Sequence, residues 1–93
     1  MNYPTVIDLF SGCGGFSTGM LDAGLAVKAG FDSDASCIAA YNYNHAHRGA
    51  TGFKVDLAAA SGETLLNLAR IKSVDLVVGG PPCQAFSIIG SRK

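Results

Sequence analysis

The 93-residue sequence contains no tryptophan, no surplus of either charge, and only three cysteines. Seven basic residues balance seven acidic ones, so the cationic footprint of a domain that grips nucleic acid by itself is missing. Cys13, Cys37 and Cys83 make an odd count with no Cys-x-x-Cys spacing, which fits neither a disulfide framework nor a structural zinc site. Reduced thiols are expected. No apolar run is long enough to cross a bilayer, and nothing near the amino terminus combines a basic stretch, an apolar run and a small-residue cleavage site. These shortages together predict a soluble chain of the cytoplasm without a membrane partner.

What is present is an apolar pattern that keeps changing period. Thr5-Val6-Ile7-Asp8-Leu9-Phe10 has the composition of a buried parallel strand, and the turn Gly12-Cys13-Gly14-Gly15 ends it. Phe16 to Ala23 reads as a helix with Phe16, Met20 and Leu21 on one side and Gly24 at its stop; a second strand follows at Leu25 to Phe31. Asp34 is placed to cap a second helix, which carries Ile38 and Tyr41 before decaying into Asn42-Tyr43-Asn44-His45. Phe53 to Val55 is a weak third strand. Ser61 heads a third helix with Leu65, Leu68 and Ala69, and Val74 to Val78 is a fourth strand. Strands alternating with helices over short loops predict an α/β domain with a parallel sheet. The doubly wound order 3-2-1-4, with helices on both faces, sets strands 1 and 4 side by side at the switch point where such sheets bind ligands.

Two unusual loops then share one crevice. Gly12 and Gly14 allow positive φ, Gly15 lets the helix start close to the strand, and Asp32, 20 positions beyond Gly12, is placed to accept hydrogen bonds from ribose hydroxyls. Ser17 stands where the dinucleotide fingerprint has its last glycine or alanine, and on spacing alone a tight packing turn is the lesser alternative to a nucleoside cofactor. Asp56 is either an acceptor at the same edge or a solvated turn residue. In Gly79-Gly80-Pro81-Pro82-Cys83, two prolines stiffen the turn and aim one thiol, which as thiolate is a nucleophile and otherwise an inert cysteine. Cys13 and Cys37 read as unreactive, and His45 and His47 as surface residues.

The stretches Val6 to Phe16 and Gly79 to Ser87 resemble the first and fourth motifs of the DNA (cytosine-5)-methyltransferases. Asp32 through Tyr41 and Asn44 resembles the second, and Val55-Asp56-Leu57 the third. The resemblance implies a partial Rossmann-like, S-adenosylmethionine-dependent methyltransferase fold. It implies that Phe10, Ser11, Gly12, Cys13, Gly14 and Gly15 form the S-adenosylmethionine loop, and that Asp32 takes the ribose hydroxyls where the family usually has glutamate. Ser33 stands where some members stack an aromatic on adenine; Asp56 would bind the adenine amino group with Leu57 beside it. Pro82 would line the pocket, and Cys83 would be the nucleophile that adds to cytosine carbon 6 in flipped-out DNA.

The family's cytosine-protonating glutamate, its base-holding arginines, its target recognition domain and its carboxyl-terminal motifs have no counterpart in the sequence. Residues 1–93 are therefore expected to form the amino-terminal part of a catalytic domain, a fragment or half of a split enzyme, inactive alone. The expected partners are double-stranded DNA in the complete enzyme, and a complementary chain or a second copy pairing along an open sheet edge. Two other classes fit parts of the pattern: a nucleotide-binding oxidoreductase domain, which gives Pro-Pro-Cys no role, and a non-catalytic interaction module.

Overall fold

In the computed structural model, which describes residues 3–80, four strands form one parallel sheet. The chain runs through β1 (Thr5–Leu9), α1 (Gly15–Asp22), β2 (Ala26–Asp32), α2 (Ala35–His45), a 3-10 turn (Ala46–Arg48), β3 (Thr51–Lys54), α3 (Gly62–Ala69) and β4 (Leu76–Gly79). The strand order is β3-β2-β1-β4, as the alternation predicts. β1 pairs with β2 from Thr5↔Ala26 to Leu9↔Phe31, skipping Lys28 in a bulge, and with β4 from Val6↔Leu76 to Leu9↔Gly79. Asp75 opens the β4 ladder: its Oδ2 accepts from the Thr5 N–H at 2.8 Å while its own N–H donates to the Thr5 carbonyl at 3.1 Å.

Side chains alternate across a strand, so β1 feeds two cores. Val6 meets Val27, Tyr41 and Ala50 beneath Met20 and Leu21, on the face covered by α1 and α2. Ile7 meets Ala29, Phe31 and Leu65 on the face covered by α3. Asp34 caps α2 by accepting from the N–H groups of Ser36 and Cys37, and Ser61 caps α3 through the Thr64 N–H, each satisfying donors a helix start leaves unpaired. Tyr41 is the largest fully buried side chain. Its ring lies flat against two glycines of neighbouring strands, and a Cβ built on Gly30 or Gly52 would come within 2.5 or 2.9 Å of it.

That packing explains where the sequence reading departs from the fold. The third strand begins at Thr51 rather than Phe53, because Gly52, which reads as loop, is the space Tyr41 needs. The buried residue of α1 is Ser17, while Phe16 is 58% exposed. The buried face therefore starts one residue later than the apolar pattern suggests. His45, expected at the surface, is 2% exposed; it follows Ile38 and Tyr41 at i+7 and i+4, one stripe of the helix. His47 is exposed as expected. Among the described residues, no helix is long and apolar enough to cross a membrane.

Candidate functional site

At the carboxyl end of β1 the chain leaves the strand abruptly. Phe10 takes a left-handed φ of 54°, Gly12 follows at 55° and Gly14 at 104°, a run that non-glycine residues rarely adopt. The Ser11 N–H donates to the Phe31 carbonyl at 3.0 Å, and the Gly14 N–H to the Ser11 carbonyl at 2.9 Å. Ser11 is buried, whereas Cys13 and Gly15 are exposed. The loop delivers the chain to α1, whose first turn has no side-chain cap, so its N–H groups stay available to a polar or anionic ligand.

Asp32, at the end of β2, joins this loop to the next. Its Oδ2 accepts from the Gly12 N–H at 2.9 Å, and its Oδ1 from the Asp34 N–H at 3.0 Å. A carboxylate oxygen has a second lone pair, so half-buried Asp32 can hold the glycine turn and still accept from a ligand hydroxyl. Phe10, Ser33, Val55, Asp56, Leu57 and Ala58 line a cleft of about 200 Å³ just beyond the strand ends. Asp56 uses Oδ1 to accept from the Ala58 N–H at 3.1 Å. The expected residues Phe10, Ser33, Asp56 and Leu57 thus come together on one cleft, with Ser11, Gly12, Cys13, Gly14, Gly15 and Asp32 in the adjoining loop and strand end. Pro82 and Cys83 lie outside the described residues. A larger cavity of about 570 Å³ lies between Lys28, Thr51 and Arg70, and none of the candidate cofactor-binding residues lines it.

A buried polar layer supports the loop from below, and sequence reasoning missed it. The Ser17 hydroxyl donates to Asp8 Oδ2 at 2.8 Å and lies 2.7 Å from the Tyr41 hydroxyl. Asp8 is fully buried and its Oδ1 has no partner among the described residues; loss of solvation pushes its carboxyl above the ordinary range despite the Ser17 bond. Burial likewise pushes Tyr41 up to about 12. Ser17, which reads as a flaw in a fingerprint, is the hinge of this layer. The second row of the layer is His45, with Nδ1 3.1 Å from the Tyr41 carbonyl and Nε2 2.7 Å from Thr18 Oγ1. Gly14, not Gly15, is the position of close approach: a Cβ on Gly14 would lie 2.3 Å from the His45 ring, while one on Gly15 would meet nothing.

The two described cysteines differ in exposure. Cys13 is exposed and Cys37 half-buried; desolvation and the nearby Asp34 carboxylate push the Cys37 thiol up, away from the reactive thiolate. Asp34 moves the other way, held below the usual carboxylate range first by the Ser36 hydroxyl and then by the N–H groups it caps. Among the described residues, no cluster of three His, Cys, Asp or Glu side chains could hold a metal.

A family model described as C-5 cytosine-specific DNA methylase matches residues 4–93. The type II methyltransferase M.HgiGI of Herpetosiphon aurantiacus is 40% identical over 86 residues, covering 92% of this chain and 64% of the relative. M.XorII of Xanthomonas oryzae pv. oryzae is 40% identical over 94 residues, covering 99% of this chain and 22% of the relative. A crystal structure of a candidate DNA modification methyltransferase encoded within an E. coli prophage superposes with a TM-score of 0.75 at 33% identity, over 87% of this chain and 23% of that one. The chain thus spans just under two thirds of one curated relative and about a fifth of the other.

Proposed function

The chain belongs to the family of C-5 cytosine-specific DNA methylases, and from that premise we propose that it supplies the cofactor-binding part and the nucleophile for transfer of a methyl group from S-adenosylmethionine to carbon 5 of cytosine in DNA. The observation that carries this reading is the convergence of Phe10, Ser33, Asp56 and Leu57 on one cleft beside the glycine turn. The residues fit the adenosine half of that cofactor. The cleft is apolar on the Phe10 and Leu57 sides for a purine, Asp56 is exposed and can accept from an amino group, and Asp32 keeps lone pairs for ribose hydroxyls. The uncapped amides of α1 suit the cofactor's carboxylate.

When bound, S-adenosylmethionine supplies an electrophilic methyl group. The residues of this chain bind and orient it: Gly12 and Gly14 bring the backbone close, while Asp32 ties the turn to β2. Cys83, four residues beyond the end of β4, is the proposed nucleophile. Its thiolate would add to cytosine carbon 6; carbon 5 would take the methyl group as the methyl–sulfonium bond breaks and the thioether leaves; loss of the carbon 5 proton to a base would then expel the Cys83 thiolate and restore the ring. β1 and β4 are adjacent, which brings the glycine turn and the approach to Cys83 to the same end of the sheet.

Residues 1–93 are proposed to act as one part of a larger catalytic unit and to be inactive alone. β4 is the last strand of the sheet among the described residues, and Leu76 and Val77 on it are 43% and 51% exposed. An apolar strand edge of this kind recruits another strand, from a complementary chain or a second copy. The test is transfer of labelled methyl from S-adenosylmethionine to unmethylated duplex DNA, with Cys83→Ser as control. Cys83-dependent 5-methylcytosine from the chain alone would remove the inactivity claim and keep the chemistry; product that survives Cys83→Ser would remove the nucleophile assignment.

A further inference from the structure

Asp32 ties the loop to β2 at Gly12, and α2 meets it at Gly14. The His45 ring is pressed against Gly14, with a Cβ at that position 2.3 Å from Cε1 and 2.8 Å from Nδ1. His45 Nδ1 lies 3.1 Å from the Tyr41 carbonyl, which can only accept, so Nδ1 carries the proton of the neutral ring. Nε2 is then an acceptor, and the Thr18 hydroxyl 2.7 Å away donates to it. The hydroxyl's single proton being spent on Nε2, the Gly14 carbonyl, 3.0 Å from the same oxygen, accepts instead from the Thr18 N–H at 2.9 Å. The hydroxyl thus ties the His45 ring, at the end of α2, to α1, and the ring in turn packs against Gly14, where the loop becomes α1.

We propose that Thr18 and His45 are positioning residues for the loop, holding Gly14 in its left-handed turn so that the loop and the first turn of α1 keep the shape the cofactor site needs. The role in cofactor binding rests on the proposed function; the role in fixing the loop does not. Thr18 lies at an exposed position of α1, so Thr18→Val removes the hydroxyl without opening a core.

The test is amide hydrogen exchange of the 93-residue chain, read at Gly12 and Gly14 in the loop and at Phe31 in β2, together with titration of S-adenosylmethionine. Thr18→Val should speed exchange at Gly14 by about threefold to tenfold, the factor carried by one neutral hydrogen bond, and leave Phe31 unchanged. Thr18→Ser, which keeps the hydroxyl, should restore protection, and His45→Phe, which keeps a ring but no acceptor, should match Thr18→Val. Affinity for S-adenosylmethionine should fall by a similar factor. Equal acceleration at Gly14 and Phe31 would mean plain loss of stability and would overturn the proposal, as would unchanged exchange at Gly14. A wild-type chain that binds no S-adenosylmethionine would refute the cofactor reading, and the exchange data would still decide whether these two residues fix the loop.

Discussion

At the β3 edge of the sheet the side-chain amide of Asn42 takes both main-chain groups of Gly52, accepting from its N–H at 2.7 Å and donating to its carbonyl at 3.3 Å. At the β4 edge, Leu76 and Val77 stand about half exposed with no strand beside them among the described residues. Asn42 imitates a neighbouring strand at one residue and so blunts an edge that would otherwise template pairing. The β3 half is finished by its own helix: Tyr41 fills the space over Gly30 and Gly52, and Asn42, one residue on, seals the outside. Among the described residues, β4 has a single partner strand, β1. Among the described residues, one edge of the sheet is thus sealed by a side chain, and the other, which precedes Cys83 in the chain, is not.

The most damaging way to break this contrast is Tyr41→Ala. Loss of a fully buried aromatic costs about 3–5 kcal/mol, which should unfold much of a chain this size in urea titration; a change under about 1 kcal/mol would show that the glycine seat of Tyr41 does not hold the β3 half together. Asn42→Ala should come next, at about 1–3 kcal/mol, because it strands the N–H of buried Gly52. It should also raise self-association, measured by sedimentation, by giving the chain a second open edge.

Part of this contrast was legible in the sequence. The order 3-2-1-4 follows from the alternation of periods, the caps Asp34 and Ser61 from residue type and position, and the positive φ of Gly12 and Gly14 from the turn. The buried polar layer was not legible in the same way. Ser17 and His45 are polar, and a polar residue counts as surface until the partner that satisfies it is known. Those partners, Asp8 on β1 and Thr18 on α1, are 9 and 27 residues away, a distance no local pattern spans. The one available signal was spacing: Ile38, Tyr41 and His45 share a stripe. The cleft itself was readable because its residues sit at strand ends, and topology alone brings strand ends together.

Smaller effects come from two aspartates, Asp8 on β1 and Asp34 at the start of α2. Asp8 is raised above its ordinary value of 3.8 by burial, so the folded chain holds that proton more tightly than the unfolded one; its contribution to stability is full below that value and is lost as pH rises through the folded one. Asp34 is lowered from 3.8, so its contribution is present above that value and lost as pH falls through the folded one. Melting temperature against pH should therefore lose its decline above pH 3.8 in Asp8→Asn. Asp34→Asn, which can still cap, should lose only the acid-side decline. Unchanged profiles in both would show that neither carboxyl is coupled to folding.

Smallest in stability, though not in consequence, is Val77→Lys at the open edge. The folded chain should change by no more than about 0.5 kcal/mol, while self-association in sedimentation should fall. Equal association by wild type and variant would mean that the β4 edge is not the surface that recruits a partner.

The cleft beside the glycine turn is the centre of the account, and calorimetric titration of S-adenosylmethionine into the chain and into its Asp56→Ala variant tests it most directly. The account predicts one saturable site in the wild type, weakened about tenfold by the variant, the equivalent of about 1.4 kcal/mol for a hydrogen bond to a charged acceptor. No saturable binding, binding of NAD in its place, or equal affinity in both chains would contradict it.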